Sequence, residues 1–366
     1  MGADFYAIIP AGGSGSRLWP LSRASAPKFL HDLTGNGRSL LGNTWDRLSL
    51  FAAPENIAVV TGATHEAAVR SELPELFPGR LLIEPSPKDS ATAIAFAVAT
   101  ILDINPHAVI GSFAADHVVG NDDLFLEAIF SAREEAENGY VVAIGVRPTE
   151  PSTAFGYIRA GVDALSAGPS RSFPVSEFVE KPDYDTAKSY LSMGSFFWNA
   201  GMFVCQASVL WELIEQNRPV LAEKILQYVS AQRDGLTKHA LEIWDSIPAE
   251  AIDYVVAEPA AAQGKMRMVV AEFLWDDVGD FASLSKIHQS AEHGSVAVLG
   301  ANAKVVSENA TGVVVSQSRR VISLIGVKDI VIVDTPDALL VTTKEHAQDV
   351  KKMVEHMKLE GLEDVL

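Results

Sequence analysis

The segment Ala11-Gly12-Gly13-Ser14-Gly15-Ser16-Arg17 follows the short apolar run Phe5–Pro10. An apolar run ending in glycines is the sequence form of a buried strand feeding a phosphate-handling loop. Glycines let backbone N–H groups approach a phosphate chain closely, and a helix N-terminus after the loop adds partial positive charge. Arg17 and Lys28, on either side of the turn that follows, can neutralise charge developing on a leaving pyrophosphate. No Gly-Lys-Ser/Thr follows, so this is not a Walker A loop, and the third glycine of the dinucleotide fingerprint is missing. Asp116 falls just past a strand pattern ending near Ala114, at the carboxyl end where such sheets bind ligands. Taken singly, Asp116 also fits a turn and Asp277 a helix cap. No Ser-His-Asp or Cys-His arrangement is evident, and His117 reads as a packing neighbour of Asp116.

The elements that must position these residues alternate. Strand patterns at 5–10, 57–60 and 140–146, and one ending near Ala114, are interleaved with helical patterns at 64–73, 90–102 and 122–137, the second opening at Ser90. Such alternation predicts a mostly parallel sheet covered on both faces, with ligands beyond the carboxyl ends of its strands. The glycine loop, Asp116 and the 147–157 loop all fall there, so one cleft is expected. From Ser295 to Thr343 the texture changes to short β-rich runs (VAVL, AKVV, GVVV, RVISLI, DIVIV, ALLVT) separated by Gly, Asn, Asp and Pro. These suggest a small all-β unit, a few coils of a β-helix, before a charged terminal helix. The expected division is a catalytic domain over 1–290 and a short β-helix domain with its helix over 291–366.

Composition bounds the rest. The chain has 366 residues, 48% apolar and 21% charged, with a formal net charge of −18. So acidic a surface disfavours nucleic acid and anionic membranes as partners, yet a local cluster of cations and backbone amides can still hold small phosphorylated ligands. Cys205 is the single cysteine, which excludes an intrachain disulfide, and its apolar setting marks it as a core residue. The N-terminus lacks a signal-peptide pattern and no apolar run is long enough to span a membrane, so a cytoplasmic location is expected.

The motif Ala11–Arg23 followed by Pro27-Lys28 resembles the signature of the mannose-1-phosphate guanylyltransferases. The likeness continues in order through Glu84-Pro85, Ala115-Asp116-His117, Phe155-Gly156-Tyr157-Ile158, Phe178-Val179-Glu180-Lys181-Pro182, Trp198–Phe203, Trp275–Gly279 and Val333–Val341. The resemblance implies an α/β, Rossmann-like nucleotidyltransferase domain and a C-terminal left-handed β-helix. Its activity would join GTP and mannose 1-phosphate into GDP-mannose and pyrophosphate. It implies Arg17 and Lys28 as catalytic cations. Nucleotide binding falls to Ala11, Gly12, Gly13, Ser14, Gly15, Ser16, Arg17, Glu84, Pro85, Asp89, Ser90 and Asp116. Sugar-phosphate binding falls to Gly156, Glu180, Lys181 and Asn199, and Mg²⁺ to Asp116 and Asp277. Asp280 is either a second ligand or a surface residue. Bifunctional members append an isomerase domain, which this chain is expected to lack; a homodimer is left open.

The chain departs from the family at Lys88-Asp89-Ser90-Ala91-Thr92-Ala93-Ile94, where Arg-Asn-Thr-Ala-Pro-Ala-Ile is common. That departure touches the segment expected to read the base, where Glu84 or Asp89 would accept guanine's donors, or Asp89 with Ser90 would only cap the helix. Three other readings stand beside this one. They are a pyrophosphorylase for another base or hexose, a non-catalytic nucleotide-sugar-binding relative, and a sugar transferase with an Asp-x-Asp metal motif. For the last, Asp183-Tyr184-Asp185 has the spacing but reads as the opening of a helix.

Overall fold

The computed structural model describes residues 4–13, 15–161, 172–288, 296–301 and 303–366. Among these, the first part of the chain forms strands Phe5–Ala11 (β1), Ile57–Gly62 (β2), Leu81–Glu84 (β3), Val109–Ser112 (β4), Val118–Val119 (β5), Val141–Val146 (β6), Tyr157–Ala160 (β7), Ser172–Val179 (β8), Phe196–Gln206 (β9), Met266–Val270 (β10) and Trp275–Asp276 (β11). Nine of them make one sheet in the order β3-β2-β1-β4-β9-β6-β10-β8-β7. β1 to β4 are mutually parallel, and β6 and β10 are parallel to each other. β9 enters between β4 and β6 antiparallel to both, and β8 is antiparallel to β10 and β7. Seven of the nine strands therefore share a direction, and the sheet is mostly parallel.

Side-chain alternation along β1 shows why both faces are covered. Tyr6 and Ile8 enter one apolar cluster with the helix Asp89–Leu102. Phe5, Ala7, Ile9 and Ala11 enter another with the helices Leu40–Leu48 and Asp122–Glu137. A strand with period two that is apolar at both phases must bury both faces, and helices supply the covers. Cys205 is fully buried in the first cluster, and burial pushes its thiol up to about 12, which suits a packing residue.

The C-terminal unit contains Val296–Leu299 (β12), Lys304–Glu308 (β13), Gly312–Ser316 (β14), Val321–Ile325 (β15), Ile330–Asp334 (β16) and Leu339–Thr343 (β17). β12, β14 and β16 stack in parallel on one face, β13 and β15 on another, and β17 returns antiparallel to β16. Successive parallel rungs are the geometry of a β-helix. The expected boundary at 290/291 lies outside the described residues. The two parts share one apolar cluster: Leu18, Trp19, Leu21, Val278 and Phe281 pack with Val313, Val331, Val350 and Val354. Arg23 adds a forked pair to Asp337 (2.7 and 2.9 Å), and Trp19 Nε1 donates to the Val365 carbonyl (2.6 Å).

The rungs stack closely enough to forbid a side chain at Gly312. Its φ is 143°, and a Cβ there would fall on the carbonyl oxygen of Ile330 in the next coil. Gly194 is a milder case: it ends the helix Tyr184–Met193 with φ 68° and open space around it. Gly312→Ala is expected to cost about 3 kcal/mol or more, since backbone strain and a backbone clash add. Gly194→Ala should cost only about 1–2 kcal/mol. Thermal unfolding of the two variants checks the order, and equal losses would contradict the stacking argument.

Candidate active site

β1 ends at Ala11, whose carbonyl accepts from Thr61 Oγ1 (2.8 Å) on β2. Gly12 and Gly13 then emerge into solvent, with no heavy atom within 4 Å of where a Cβ would stand on either. Their backbone is open to a ligand. Ser14 lies outside the described residues. Gly15 has φ 61°, and a Cβ on it would stand 2.8 Å from Lys28 Cβ, so glycine here permits the loop to close on Lys28. The expected helix after the loop is absent. Only a 3₁₀ turn, Ser16–Leu18, forms, because Pro20 lacks an N–H and drives Trp19 into extended backbone (ψ 141°).

Lys28 is buried, and its Nζ lies 2.6 Å from Asp116 Oδ2 and donates to the Asp277 carbonyl (2.5 Å). Asp116 and Asp277 come together through a ladder only two residues long. β11 pairs antiparallel with β5, Asp276 opposite Val118 and Trp275 opposite Val119. Asp277 and His117 each follow directly where this ladder ends, and the Asp277 charge acts on His117, one residue from Asp116. Burial raises the Asp116 carboxyl, but the neighbouring Lys28 and His117 outweigh it and hold it below the usual carboxylate range. Burial holds His117 below its ordinary value, and its Nδ1 accepts from Trp275 Nε1 (3.3 Å), which places the imidazole proton on Nε2. Gly13, Gly15 and Ser16 of the glycine loop line one cleft of about 470 Å³ with Arg17, Lys28, Asp116 and Asp277.

Asp280 is taken up structurally. Its Oδ1 accepts from the Ala282 and Ser283 amides (2.7 and 2.9 Å), capping the helix Phe281–Ile287, while Gln348 Nε2 donates to Oδ2. Asp183 likewise caps the helix Tyr184–Met193 by accepting from Thr186 N (2.8 Å), so the Asp-x-Asp spacing here serves a helix start.

Glu84, at the end of β3, is aligned with Gly62 of β2, two strand spacings or about 10 Å from β1. Pro85 follows it, partly buried. The Glu84 side chain is buried and its Oε1 has no partner among the described residues. Burial, then the nearby charge of Asp89, raises its carboxyl to about 7. Asp89 is exposed with φ 66°, and its carboxylate accepts from the Ser90 amide (2.7 Å). The helix begins at Asp89 rather than at a capping Ser90. The Ser90 hydroxyl instead accepts from Ile252 N (2.9 Å), tying the helix start to the segment before residue 253.

A second cluster gathers Gly156, Glu180, Lys181 and Asn199. A Cβ on Gly156 would lie 2.5 Å from Glu180 Oε2 and 3.5 Å from Asn199 Cβ. Asn199 N donates to the Gly156 carbonyl (2.8 Å), and Lys181 Nζ donates to Glu180 Oε1 (2.6 Å). Asp253 belongs to this cluster: its Oδ1 accepts from Asn199 Nδ2 (2.9 Å). Burial and then the Glu180 charge raise its carboxyl to about 7. Asp253 opens a short π-helical stretch, a distortion that often accompanies functional sites. An aromatic chain joins the two clusters. Trp198 packs on Phe155 (5.0 Å between ring centroids), Phe155 on Trp275 (5.2 Å), and Trp275 on His117 (5.4 Å).

Asp253, Gln348 and Lys351 belong to no motif that marks them in the sequence. The last two line the same cleft from the C-terminal unit, and Gln348 Oε1 accepts from Arg17 Nη1 (3.1 Å). Asp253 was findable only as a lone acid inside an apolar run, Ala251-Ile252-Asp253-Tyr254-Val255.

Residues 6–294 match the nucleotidyl transferase family, and residues 303–357 match the mannoseP isomerase/GMP-like β-helix domain. The chain is 37% identical over 359 residues to a mannose-1-phosphate guanylyltransferase of Salmonella montevideo, covering 97% of this chain and 74% of that one. It is 33% identical over 365 residues to one of Escherichia coli K12, covering 98% and 74%. A solved structure described as mannose-1-phosphate geranyltransferase from Thermus thermophilus superposes with a TM-score of 0.85 at 32% identity, over 97% of this chain and 99% of that one. The chain therefore belongs to the nucleotidyl transferase family, among the mannose-1-phosphate guanylyltransferases.

Proposed function

We propose that this enzyme transfers the guanylyl group of GTP to mannose 1-phosphate, giving GDP-mannose and pyrophosphate. The observation that carries the reading is the convergence, in one cleft, of an open glycine loop, three cations and two carboxylates. A phosphate oxygen of the sugar 1-phosphate is already a nucleophile at neutral pH, so the attack on the α-phosphorus needs no general base. Pyrophosphate leaves in line, the P–O bond to it breaking as the new P–O bond forms. What the protein supplies is positioning and charge.

The backbone of Gly12 and Gly13 cradles the triphosphate, and Arg17 meets the charge that grows on the leaving pyrophosphate. Lys28 stays between the Asp116 carboxylate and the Asp277 main-chain carbonyl, where it fixes the two segments that carry the acids. Asp116 and Asp277, which line the same cleft, suit Mg²⁺, because two carboxylates with substrate phosphates and waters are a common magnesium donor set. When bound, Mg²⁺ would supply neutralisation of phosphate charge. Glu180, Asn199 and Asp253 face the hexose hydroxyls, and Lys181 pairs with the sugar phosphate. Among the described residues no helix is long and apolar enough to cross a membrane, and both substrates are water-soluble anions.

Guanine offers N1–H and N2–H₂ as adjacent donors, and the partnerless oxygen of buried Glu84 is the acceptor the site provides. Exposed Asp89 is already engaged with its own helix start, so Glu84 is the stronger assignment.

Two outcomes follow. Asp277→Asn should fold normally and lose roughly 10² or more in kcat, as other lost electrostatic stabilisers do. Removal of divalent cations should abolish turnover of the unmodified enzyme. A folded Asp277→Asn enzyme at near-normal rate, measured by pyrophosphate release, would remove the metal assignment. For Glu84, a carboxyl raised to about 7 is protonated below that pH and becomes a full acceptor above it. The kcat/KM for GTP should therefore climb through pH 7. Glu84→Gln should lose that limb and, at pH 8, roughly ten- to hundredfold in kcat/KM, the value of a hydrogen bond to a charged group. It should also narrow the preference for GTP over ITP, which lacks the 2-amino group. An unchanged profile and preference would clear Glu84 of base recognition.

A further inference from the structure

The phosphate cleft is lined from two distant parts of the chain. Gly13, Gly15, Arg17 and Lys28 come from its start, and Gln348 and Lys351 from its last helical segment. Lys351 stands in the first turn of the helix Val350–Leu359, exposed to the cleft, and among the described residues it makes no ion pair. Its neighbour Lys352 behaves differently: it is tied to Asp349 at 2.7 Å and is absent from the cleft lining. Arg17 is also free of carboxylates among the described residues. It contacts Gln348, which in turn is anchored on the helix-capping Asp280. Lys28, by contrast, is already matched by Asp116.

The helix carrying Lys351 is not a loose tail. Val350, Val354 and Met357 are buried in the cluster that contains Leu18 and Trp19 of the signature segment. The cleft lining carries three cations against two carboxylates, an excess of positive charge in a chain whose net charge is −18, and such a local excess attracts an anion. Building on the guanylyl-transfer reading, we propose that Lys351 binds the β- and γ-phosphates, and hence the released pyrophosphate. The C-terminal unit thereby completes the phosphate subsite of the catalytic domain. The glycine loop and Arg17 grip the triphosphate from one side, and Lys351 closes it from the other. Neither the nucleotide base nor the sugar is touched by this residue.

The full chain carrying Lys351→Ala, Lys351→Arg or Lys352→Ala tests the assignment, with unfolding temperatures as the check on folding. In the reverse direction, GDP-mannose plus pyrophosphate, Lys351→Ala should raise KM for pyrophosphate roughly tenfold, as expected for one charge-assisted contact at a solvent-facing site. KM for GDP-mannose should stay within twofold. Lys351→Arg should restore most of the loss, and Lys352→Ala should match the unmodified enzyme. A folded Lys351→Ala enzyme with an unchanged KM for both pyrophosphate and GTP would overturn the proposal. Calorimetric binding of magnesium pyrophosphate separates the two claims. If the unmodified enzyme fails to turn over GTP with mannose 1-phosphate, the functional reading falls, whereas Lys351 is still judged by this binding. Weaker binding to Lys351→Ala than to the unmodified chain supports its role, and equal binding refutes it.

Discussion

Everything in the cleft is referred to one buried ammonium group. Lys28 Nζ sits between the Asp116 carboxylate and the Asp277 carbonyl, and so ties together three segments far apart in sequence. A charge taken out of water is expensive unless its partners are held in good geometry. Three local devices hold them here. Gly15 clears the space beside the Lys28 stem, the β5–β11 ladder brings the segments of Asp116 and Asp277 together, and Trp275 locks the His117 ring. With its own cation matched, Asp116 remains ionised, which suits it to a metal and to phosphate chemistry. The charges of the cleft are thus set before a ligand arrives, and preorganised charge is where electrostatic catalysis gains most.

The second constraint is the seam with the β-helix. The turn after the glycine loop is too short for an α-helix, and Leu18, Trp19 and Leu21 are buried largely by residues of the C-terminal unit. Arg23 and Trp19 add polar ties to Asp337 and to the Val365 carbonyl. The β-helix therefore acts as the wall on which the catalytic loop rests. Its crowded glycines, Gly300 and Gly312, let the coils stack at close backbone distance, since a Cβ on either would fall on the carbonyl oxygen of Ser316 or Ile330. The aromatic run from Trp198 through Phe155 and Trp275 to His117 does the equivalent work toward the hexose side.

Much of this was legible in the residues. The strand–helix alternation announced a parallel sheet because period-two and longer apolar patterns are strong signals, and the β-rich tail announced a β-helix by its closely spaced runs. The glycine loop and Lys28 are legible from residue type and spacing, whereas Asp116 and Asp277 as a metal pair come from the resemblance to the family. What stayed hidden was long-range or very short. β9 joins the sheet antiparallel, and nothing within Phe196–Gln206 encodes its direction. A two-residue ladder such as β5–β11 has no periodicity to detect. The missing helix after the loop was discoverable, since Pro20 forbids it. Asp253, Gln348 and Lys351 reach the site only through tertiary packing, and the disposition of Asp280 as a helix cap needed its two amide donors to be seen.

The central claim is that this cleft promotes one direct displacement at the α-phosphorus, with charges and no protein nucleophile. The stereochemical course of the reaction tests it most directly. GTP made chiral at the α-phosphorus by a single sulfur substitution would be turned over with mannose 1-phosphate, and the configuration of the product determined by phosphorus NMR. A single in-line displacement predicts inversion. Retention would mean two successive displacements through a guanylylated side chain, and would contradict the account.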